Sequence, residues 1–309
     1  MESPGTGFTR PIGDTLKILI TGASSLPGYR ATLEALKRGH EVVGLHYTHP
    51  IPIENEGLRK VSIDVSQSNG LRGLILKDKP DAIVHMAALG DVDLCEKDKE
   101  LAWKTTVKPS MEIASMASKI GSFAIYLSTD YVFDGEKGNY KESDVPNPVN
   151  YYGLSKLMGE IAFASSCPCH AIIRASSIYG FGPGRTNFAK YLFEKLSRGE
   201  TVKALVDQYT SPTQTTLLGK AIIEIAEERK EGIFHIVGER MSRYEFAVKT
   251  ADALCLDKSL ITKAEMKEMN WLAKRPKDSS LNCDETRRRI RTEFHPTEAA
   301  LKALREELG

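Results

Sequence analysis

The sequence lacks long apolar runs, an excess of charge of one sign, and any obvious targeting segment. No apolar run approaches the roughly 20 residues that a membrane-spanning helix needs, and the N-terminus carries no apolar segment of the signal-peptide kind. The formal net charge is +1, which gives no electrostatic reason to expect nucleic acid or a membrane surface as a partner. These absences predict a cytoplasmic protein with neither kind of partner.

Cysteines are few, and their number is odd. Five in a chain of 309 residues indicate free thiols in a reducing compartment. The segment Cys167-Pro168-Cys169-His170 suggests a metal site, but it supplies too few ligands and no second cluster accompanies it. We therefore favour structural thiols and predict no metal.

What the chain has is a regular alternation of strand-like and helix-like segments. The strand-like runs are almost wholly apolar, which is typical of a parallel sheet covered by helices on both faces. The pattern therefore predicts an α/β fold with a doubly wound, Rossmann-type parallel sheet. The predicted strands are 16–21, 41–46, 61–63, 82–86, 123–127 and 171–173, and the helices between them are 31–38, 71–77, 102–119 and 154–164.

The alternation of strands and helices becomes less regular after about residue 176. Further helices are expected there at 187–197, 215–228, 243–254 and 297–308, and a strand at 233–237. We expect a flexible leader over 1–15 and a dinucleotide-binding domain over 16–175, with later strands from about 201–239. Residues 176–309 would mainly form a smaller, discontinuous substrate-binding domain, interleaved with the sheet. The tail from 263 onward is expected to be rich in helix and charge.

The first predicted strand runs into a glycine-containing turn. Gly22 can make the tight turn, and Gly28 can let helix and strand pack closely, so that the helix N-terminus offers N–H groups to a pyrophosphate. Ser25 departs from the usual pattern, which has glycine there. An ordinary strand-to-helix turn is the alternative, but the first-strand position favours nucleotide binding by Gly22, Ser24, Ser25, Leu26 and Gly28.

Residues at the ends of other strands extend this predicted site. Asp64-Val65 would receive an adenine amino group, although Asp64 could equally cap a helix, and the small Ala87-Ala88-Leu89 leaves room for ribose and phosphates. The second strand ends without the acidic residue that would hold a ribose 2′-hydroxyl. Instead, positive or hydrogen-bonding groups are available, which favours NADP(H) over NAD(H): Arg30, His46, Thr48 and His49.

The segment from Tyr152 to Lys156 carries the predicted chemistry. Positions four apart share one face of a helix, so the phenol and the ammonium can point into one site. At about 4 Å and an effective dielectric of roughly 20, an ammonium would favour the phenolate by about 4 kcal/mol, and this predicts a lowered phenol pKa. The hydroxyl pair Ser128-Thr129 ends an apolar strand and provides further hydrogen-bond donors.

Together these segments resemble the extended short-chain dehydrogenase/reductases, and within them the dTDP-4-dehydrorhamnose reductase group. The string most typical of that group is Ser128-Thr129-Asp130-Tyr131-Val132-Phe133-Asp134-Gly135. The resemblance implies an NADP(H)-dependent reductase of a nucleotide-linked 4-keto-6-deoxy sugar, such as dTDP-4-dehydrorhamnose. It also implies a homodimer, with helices 102–119 and 154–164 as a candidate face.

The resemblance assigns roles to matching residues. Tyr152 would donate a proton to the sugar carbonyl oxygen, and Lys156 would lower its pKa and hold the nicotinamide ribose. Thr129 would hydrogen-bond the same oxygen, and the substrate contacts would be Ser128, Thr129, Asp130, Tyr131 and Ser177.

The chain also departs from the family pattern. Thr106 stands where many members have asparagine, and Ser177 stands where some have tryptophan. Two other functions therefore stay open. One is a non-catalytic regulatory subunit like that of methionine adenosyltransferase; the other is a sugar-nucleotide epimerase or dehydratase that retains NAD.

Overall fold

The computed structural model describes residues 15–308, so the expected leader, Thr15 apart, lies outside the described residues. The chain alternates strands and helices as the sequence predicts. The strands are β1 (Lys17–Thr21), β2 (Glu41–His46), β3 (Leu58–Ser62), β4 (Ala82–His85), β5 (Phe123–Thr129), β6 (His170–Ala175), β7 (Val202–Leu205), β8 (Tyr209–Thr210), β9 (Gly232–His235), β10 (Met241–Ser242) and β11 (Ile261–Ala264). The helices are α1 (Leu26–Lys37), α2 (Ser68–Asp78), α3 (Val92–Lys97), α4 (Lys99–Ala102), α5 (Lys108–Ile120), α6 (Tyr151–Ser166), α7 (Phe188–Leu196), α8 (Thr215–Glu228), α9 (Arg243–Ala253), α10 (Asp284–Arg289) and α11 (Thr297–Glu306).

Seven strands form one sheet in the order β3-β2-β1-β4-β5-β6-β9. Every neighbouring pair in this sheet is parallel. The strand order reverses between β1 and β4, which is where doubly wound sheets bind their ligands. The predicted fold class is therefore confirmed.

Both faces of the sheet are covered, which explains why its strands are so apolar. Successive side chains of a strand point to opposite faces. In β1, Ile18 and Ile20 accordingly pack in the core that holds α1 and α8, while Leu19 packs in the core that holds α2, α5 and α6.

A smaller unit stands beside the large sheet. In it β7 pairs in parallel with β11, and α7 and α9 pack against them through Leu192, Leu196, Ala247 and Ala251. The short strands β8 and β10 pair in antiparallel fashion. Of the strands found within 201–239, β9 joins the large sheet, whereas β7 belongs to this smaller unit.

Two expectations need correction. The helix expected over 102–119 is interrupted by a π-helical segment, Trp103–Val107, between α4 and α5. The tail is less helical than expected, because its backbone hydrogen-bonds to distant segments: Tyr140 N donates to Ser280 O at 2.9 Å, and Tyr209 N in β8 donates to Lys277 O at 2.8 Å. Among residues 15–308, no helix combines the length and apolar character needed to cross a bilayer.

Candidate active site

The glycine turn after β1 is built around two very close contacts. Gly22 has φ +68°, and a methyl group on it would lie 3.0 Å from Ala87 N. A methyl group on Gly28 would lie 2.1 Å from the carbonyl oxygen of Gly22. Glycine is therefore required twice, once for the backbone conformation and once for the approach of α1 to β1.

Ser25 fits this turn because its hydroxyl replaces backbone contacts. It is the N-cap residue of α1 in an extended conformation, with φ −77° and ψ 160°, so glycine is not required for its backbone. The hydroxyl donates to Gly22 O at 2.6 Å and accepts from Gly28 N at 3.3 Å. Ser25 at the N-cap and Pro27 in the first turn therefore suit the start of a helix. Both also leave fewer N–H groups free to bind a phosphate.

A groove of about 420 Å³ opens at the carboxyl ends of β1, β2, β3 and β4. It brings together eight of the predicted cofactor-binding residues: Gly22, Ser24, Ser25, Asp64, Val65, Ala87, Ala88 and Leu89. The segment from His46 to His49 forms its far end. The glycine turn and the ends of four parallel strands thus border one groove, at the edge of the sheet where such folds bind nucleotides.

Three predicted cofactor residues at the start of α1 do not line the groove. Leu26 and Gly28 are buried in the contacts of α1. Arg30 turns away: its Nη2 donates to Phe181 O at 2.5 Å and lies 3.3 Å from a carboxylate oxygen of Glu307. The expected cofactor role of Arg30 is therefore not supported, because its guanidinium is held by Phe181 and Glu307.

Asp64 is held in a turn of its own and does not cap a helix. Its Oδ1 accepts from Ser66 N at 2.9 Å, and α2 begins only at Ser68. Burial alone would raise the pKa of Asp64, but hydrogen bonds from Ser66 and Gln67 and the charge of Lys104 lower it. A charged carboxylate therefore faces the groove beyond β3.

A buried polar chain fixes β1 to β4 beneath the groove. Thr21 Oγ1 accepts from Met86 N and Ala87 N, so its own proton goes to His85 Nδ1 at 2.7 Å. Burial lowers the pKa of His85 to about 3, and the neutral ring then donates from Nε2 to Ser110. The chain sets the spacing at which Gly22 meets Ala87.

Thr106 lies in the π-helical segment and is fully buried. Its hydroxyl accepts from Leu89 N at 3.1 Å. Single π-helical turns inside α-helices are common at functional sites. The threonine therefore holds the backbone at the end of the groove.

The three predicted catalytic residues come together beyond β5. Tyr152 and Lys156 lie on α6, four residues apart. The phenol of Tyr152 hydrogen-bonds with Thr129, which ends β5. Cys95 connects this group to the groove, since its thiol donates to Leu89 O at 3.4 Å and interacts electrostatically with Tyr152 and Lys156.

The electrostatics of the pair differ from the sequence-based expectation. Burial raises the pKa of Tyr152, and the hydrogen bond with Thr129 only partly opposes this. Burial also lowers the pKa of Lys156 to about 7, against the attraction of Glu160. The expected lowering of the phenol pKa is not found, because desolvation is the largest influence on the pKa of both groups.

The ammonium of Lys156 is held by an aromatic ring. Nζ lies 4.2 Å from the ring centroid of Tyr126, which is itself buried in the sheet. Such cation–π contacts stabilise a desolvated cation. A methyl group on Gly159 would lie 2.1 Å from the Tyr126 hydroxyl, so the glycine makes room for this ring beneath the lysine.

Two predicted substrate contacts, Ser128 and Asp130, form hydrogen bonds inside the protein instead. Ser128 donates its hydroxyl to Glu160, whose carboxylate forms a buried two-point ion pair with Arg174. The carboxylate of Asp130 accepts hydrogen bonds from Thr129, Ser176 and Ser279. Burial raises the pKa of Asp130 against these bonds. Both expectations need correction, because each side chain joins segments of the fold and is buried.

The remaining predicted contacts are Tyr131, which lies beside α6, and Ser177. Tyr131 lies edge-on to Tyr152, with ring centroids 5.8 Å apart, and hydrogen-bonds with Arg243. Ser177 follows β6 with φ +41°, a conformation that is uncommon outside glycine and that clusters at functional sites. Arg275 adds a second guanidinium, paired with Asp93 at 3.0 Å.

The CxCH segment carries ordinary buried polar contacts. Cys167 Sγ donates to Cys169 O at 3.5 Å, and His170 Nδ1 donates to Cys167 O at 2.7 Å. Over the described range, 15–308, no group of three or more His, Cys, Asp or Glu is arranged to hold a metal ion.

The parallel sheet, the glycine turn and the Tyr–Lys helix define the class: a Rossmann-type NAD(P)-dependent oxidoreductase of the short-chain dehydrogenase/reductase kind. The family follows from comparison. The chain belongs to the family described as RmlD substrate binding domain, which matches residues 16–309.

Three relatives illustrate this membership. The dTDP-4-dehydrorhamnose reductase of Aggregatibacter actinomycetemcomitans is 29% identical over 303 residues, covering 94% of this chain and 98% of the relative. The methionine adenosyltransferase 2 subunit beta of Danio rerio is 32% identical over 276 residues, covering 86% and 83%. A solved structure of a hypothetical dTDP-4-dehydrorhamnose reductase from Sulfolobus tokodaii is 39% identical, with a TM-score of 0.81 and coverage of 91% and 97%.

Sequence reasoning missed several residues that shape the site. Arg243 and the ring of Tyr126 stand at the catalytic group, and the loop around Gly184 lies over the glycine turn. Only the loop had a signal, the Gly-Pro-Gly string at 182–184. Neither Arg243 nor Tyr126 belongs to a motif that sequence spacing distinguishes.

Proposed function

We propose that this protein is an NADP(H)-dependent reductase that converts a nucleotide-linked 4-keto-6-deoxy sugar, such as dTDP-4-dehydrorhamnose, to the 4-hydroxy sugar. The observation that carries the proposal is the meeting of the Thr129 hydroxyl with that of Tyr152, on the helix that carries Lys156, in a chain whose glycine turn borders a groove of about 420 Å³. The reductase relatives, matched over most of their length, support the same activity.

The groove supports the cofactor part of the proposal. Gly22, Ser24 and Ser25 would hold the pyrophosphate, and Asp64 with Val65 would receive the adenine. The far end carries His46, Thr48 and His49 and no carboxylate directly after β2, which favours a ribose bearing a 2′-phosphate. The bound cofactor would supply the hydride, which passes to carbon C4 of the sugar.

The side chains then supply the proton. The raised pKa of Tyr152 keeps its phenol protonated at neutral pH, so it is ready to donate to the carbonyl oxygen as hydride adds to the carbon. Thr129 donates to Asp130 in this structure at 3.0 Å. Turned towards the substrate, the same hydroxyl would stabilise the negative charge growing on that oxygen.

We place the sugar nucleotide between α6 and the smaller unit, in line with the expected substrate-binding role of 176–309. Tyr131 and Ser177 would face the sugar. The guanidinium groups of Arg243 and Arg275 suit the phosphate oxygens of a nucleotide diphosphate. Arg243 is held by Gln208 at 2.9 Å, so its direction is already set.

The direct test is a panel of nucleotide-linked keto sugars, with NADPH and NADH consumption followed by absorbance. Turnover of a dTDP-4-keto-6-deoxy sugar, faster with NADPH than with NADH, is expected. If the protein binds NADPH but consumes it with none of the sugars, the reductase proposal is wrong.

A regulatory subunit is the second candidate, and the relative from Danio rerio is the observation that favours it. Mixing the protein with a methionine adenosyltransferase catalytic subunit would test it by co-elution in gel filtration. Co-elution together with failure on the sugar panel would support this function. NAD carried through purification, with interconversion of sugar epimers, would instead support the third candidate.

We also propose a cytoplasmic homodimer. Apolar side chains stand exposed on the helices expected to form its face: Trp103, Met111, Leu154 and Ile161. Light scattering after gel filtration should give twice the chain mass, and Ile161→Glu should shift it to the monomer. A monomeric wild-type protein would remove this part of the proposal.

A further inference from the structure

A short loop after β6 lies over the start of α1. We call residues 180–185 the strap. A methyl group on Gly184 would lie 3.2 Å from Leu26 N and 3.3 Å from Ser25 Cα, and Gly184 also lines the groove. Gly182 and Gly184 have φ +154° and +92°, conformations that side chains rarely allow. The strap is therefore built to pass close to the turn where a pyrophosphate would lie.

The base of the strap is fixed through both backbone polar groups of one residue, Phe181. Phe181 N donates to a carboxylate oxygen of Glu307 at 2.6 Å, and Phe181 O accepts from Arg30 at 2.5 Å. Glu307 is in turn held by Gln214 and Thr216. The fold thus sets the position of the next few residues over α1. Arg30 contributes to this by donating to the carbonyl of Phe181.

The end of the groove at the glycine turn has little to offer an anion. None of its described lining residues is lysine or arginine, and it contains the carboxylate of Asp64. The first turn of α1 is also poor in donors, because Pro27 has no N–H and Gly28 N is taken by Ser25. Lys104 flanks the lining near Asp64, which leaves the pyrophosphate end without a cation of its own.

Arg185 stands at the tip of the strap, next to Gly184. Its side chain is 67% exposed, and it donates to Gly90 O at 3.1 Å and to Asp91 at 3.0 Å. It therefore reaches from the strap across to the loop that follows Leu89, over the mouth of the groove. An exposed ion pair of this kind contributes little stability, so its guanidinium can exchange partners readily.

We propose that Arg185 is a cofactor-binding residue that leaves Asp91 and Gly90 to pair with the dinucleotide pyrophosphate, closing the strap over it. The inference rests on the dinucleotide binding of the proposed function. A planar guanidinium matches two phosphate oxygens at once. The guanidinium of Arg185 supplies positive charge and hydrogen-bond donors to a turn in which Ser25 occupies one N–H group and Pro27 has none.

The test compares ligands with and without a pyrophosphate. For Arg185→Ala, binding of NADP⁺ and ADP-ribose, measured by calorimetry, should weaken about 10- to 100-fold, the range of a charge-assisted hydrogen bond. Binding of 2′-AMP, which has no pyrophosphate, should change less than about threefold. Arg198→Ala, which removes another exposed arginine on the loop after α7, is the matched control and should bind like the wild type.

A second variant should have the opposite effect on the affinity for ADP-ribose. Asp91→Asn keeps the hydrogen bond to Leu94 N that begins α3 but removes the charge that competes for Arg185, so ADP-ribose should bind more tightly. Equal weakening of all three ligands by Arg185→Ala, or no weakening, would overturn the proposal. If the wild type binds neither NADP⁺ nor ADP-ribose, the proposed cofactor fails first, and this outcome overturns both.

Discussion

Replacing Lys156 by methionine should make the folded protein more stable while removing its activity. The side chain is 4% exposed, and burial lowers its pKa from 10.5 to about 7. The folded state therefore disfavours the ammonium that the unfolded chain carries. Methionine has a similar length and carries no charge to desolvate, so Lys156→Met removes that penalty.

The size and the pH dependence follow from linkage. Each pKa unit corresponds to about 1.4 kcal/mol, so the fall of the Lys156 pKa from 10.5 to about 7 should make the variant more stable by about 4 kcal/mol at pH 7. Between pH 7 and 10.5 the unfolded chain binds a proton that the folded one does not, so wild-type stability rises with pH. The advantage of the variant should therefore fall to about 2 kcal/mol at pH 9.

Urea unfolding of both proteins between pH 6 and pH 9 measures this difference, because other titrating groups cancel between them. Lys37→Met, at the exposed end of α1, is the matched control and should change stability little. A difference that is constant with pH, or a destabilised Lys156→Met, would show that the ammonium is better solvated or better paired than the contact with Tyr126 indicates.

Three further changes have defined outcomes. Tyr152→Phe should lower kcat at least 100-fold with NADP⁺ affinity nearly unchanged, whereas Tyr151→Phe should keep turnover; full activity of the first variant would exclude Tyr152 as proton donor. Gly28→Ala should weaken NADP⁺ binding and destabilise the protein by about 1–3 kcal/mol, since its methyl group would lie 2.1 Å from a backbone oxygen; wild-type binding and thermal unfolding would contradict this. Arg174→Met should lower the free energy of unfolding by about 3–5 kcal/mol, because it leaves the Glu160 carboxylate buried without its ion-pair partner. In urea unfolding, adding Glu160→Gln to this variant should recover part of the loss. An Arg174→Met protein as stable as the wild type would refute the reasoning.

The fold could be predicted from the sequence because its signals are local. Strands covered on both faces must be apolar along their whole length, and β4 and β5 are read directly from this. The turn at Gly22 and Gly28 was predictable for the same reason, since only glycine satisfies the two contacts. The structure of the C-terminal tail could not be predicted in this way, because its residues pair with distant segments and such pairing leaves no periodic pattern in the sequence.

The site was predictable only in part. Motif spacing brought Thr129, Tyr152 and Lys156 together correctly, because strand end and helix face fix their positions. It could not predict where Arg30 points, because the direction of a long side chain depends on what lies across from it, here Phe181 and Glu307.

By itself, the sequence determined which backbone positions form the sheet, where the turn needs glycine, and which hydroxyls and amine share one end of the sheet. These properties depend on neighbours a few residues apart. Only the tertiary structure decided the protonation of Tyr152 and Lys156, the burial of Ser128 and Asp130, and the position of Arg185 over the groove. Desolvation and long-range pairing govern these, and both depend on segments that meet only when the chain is folded.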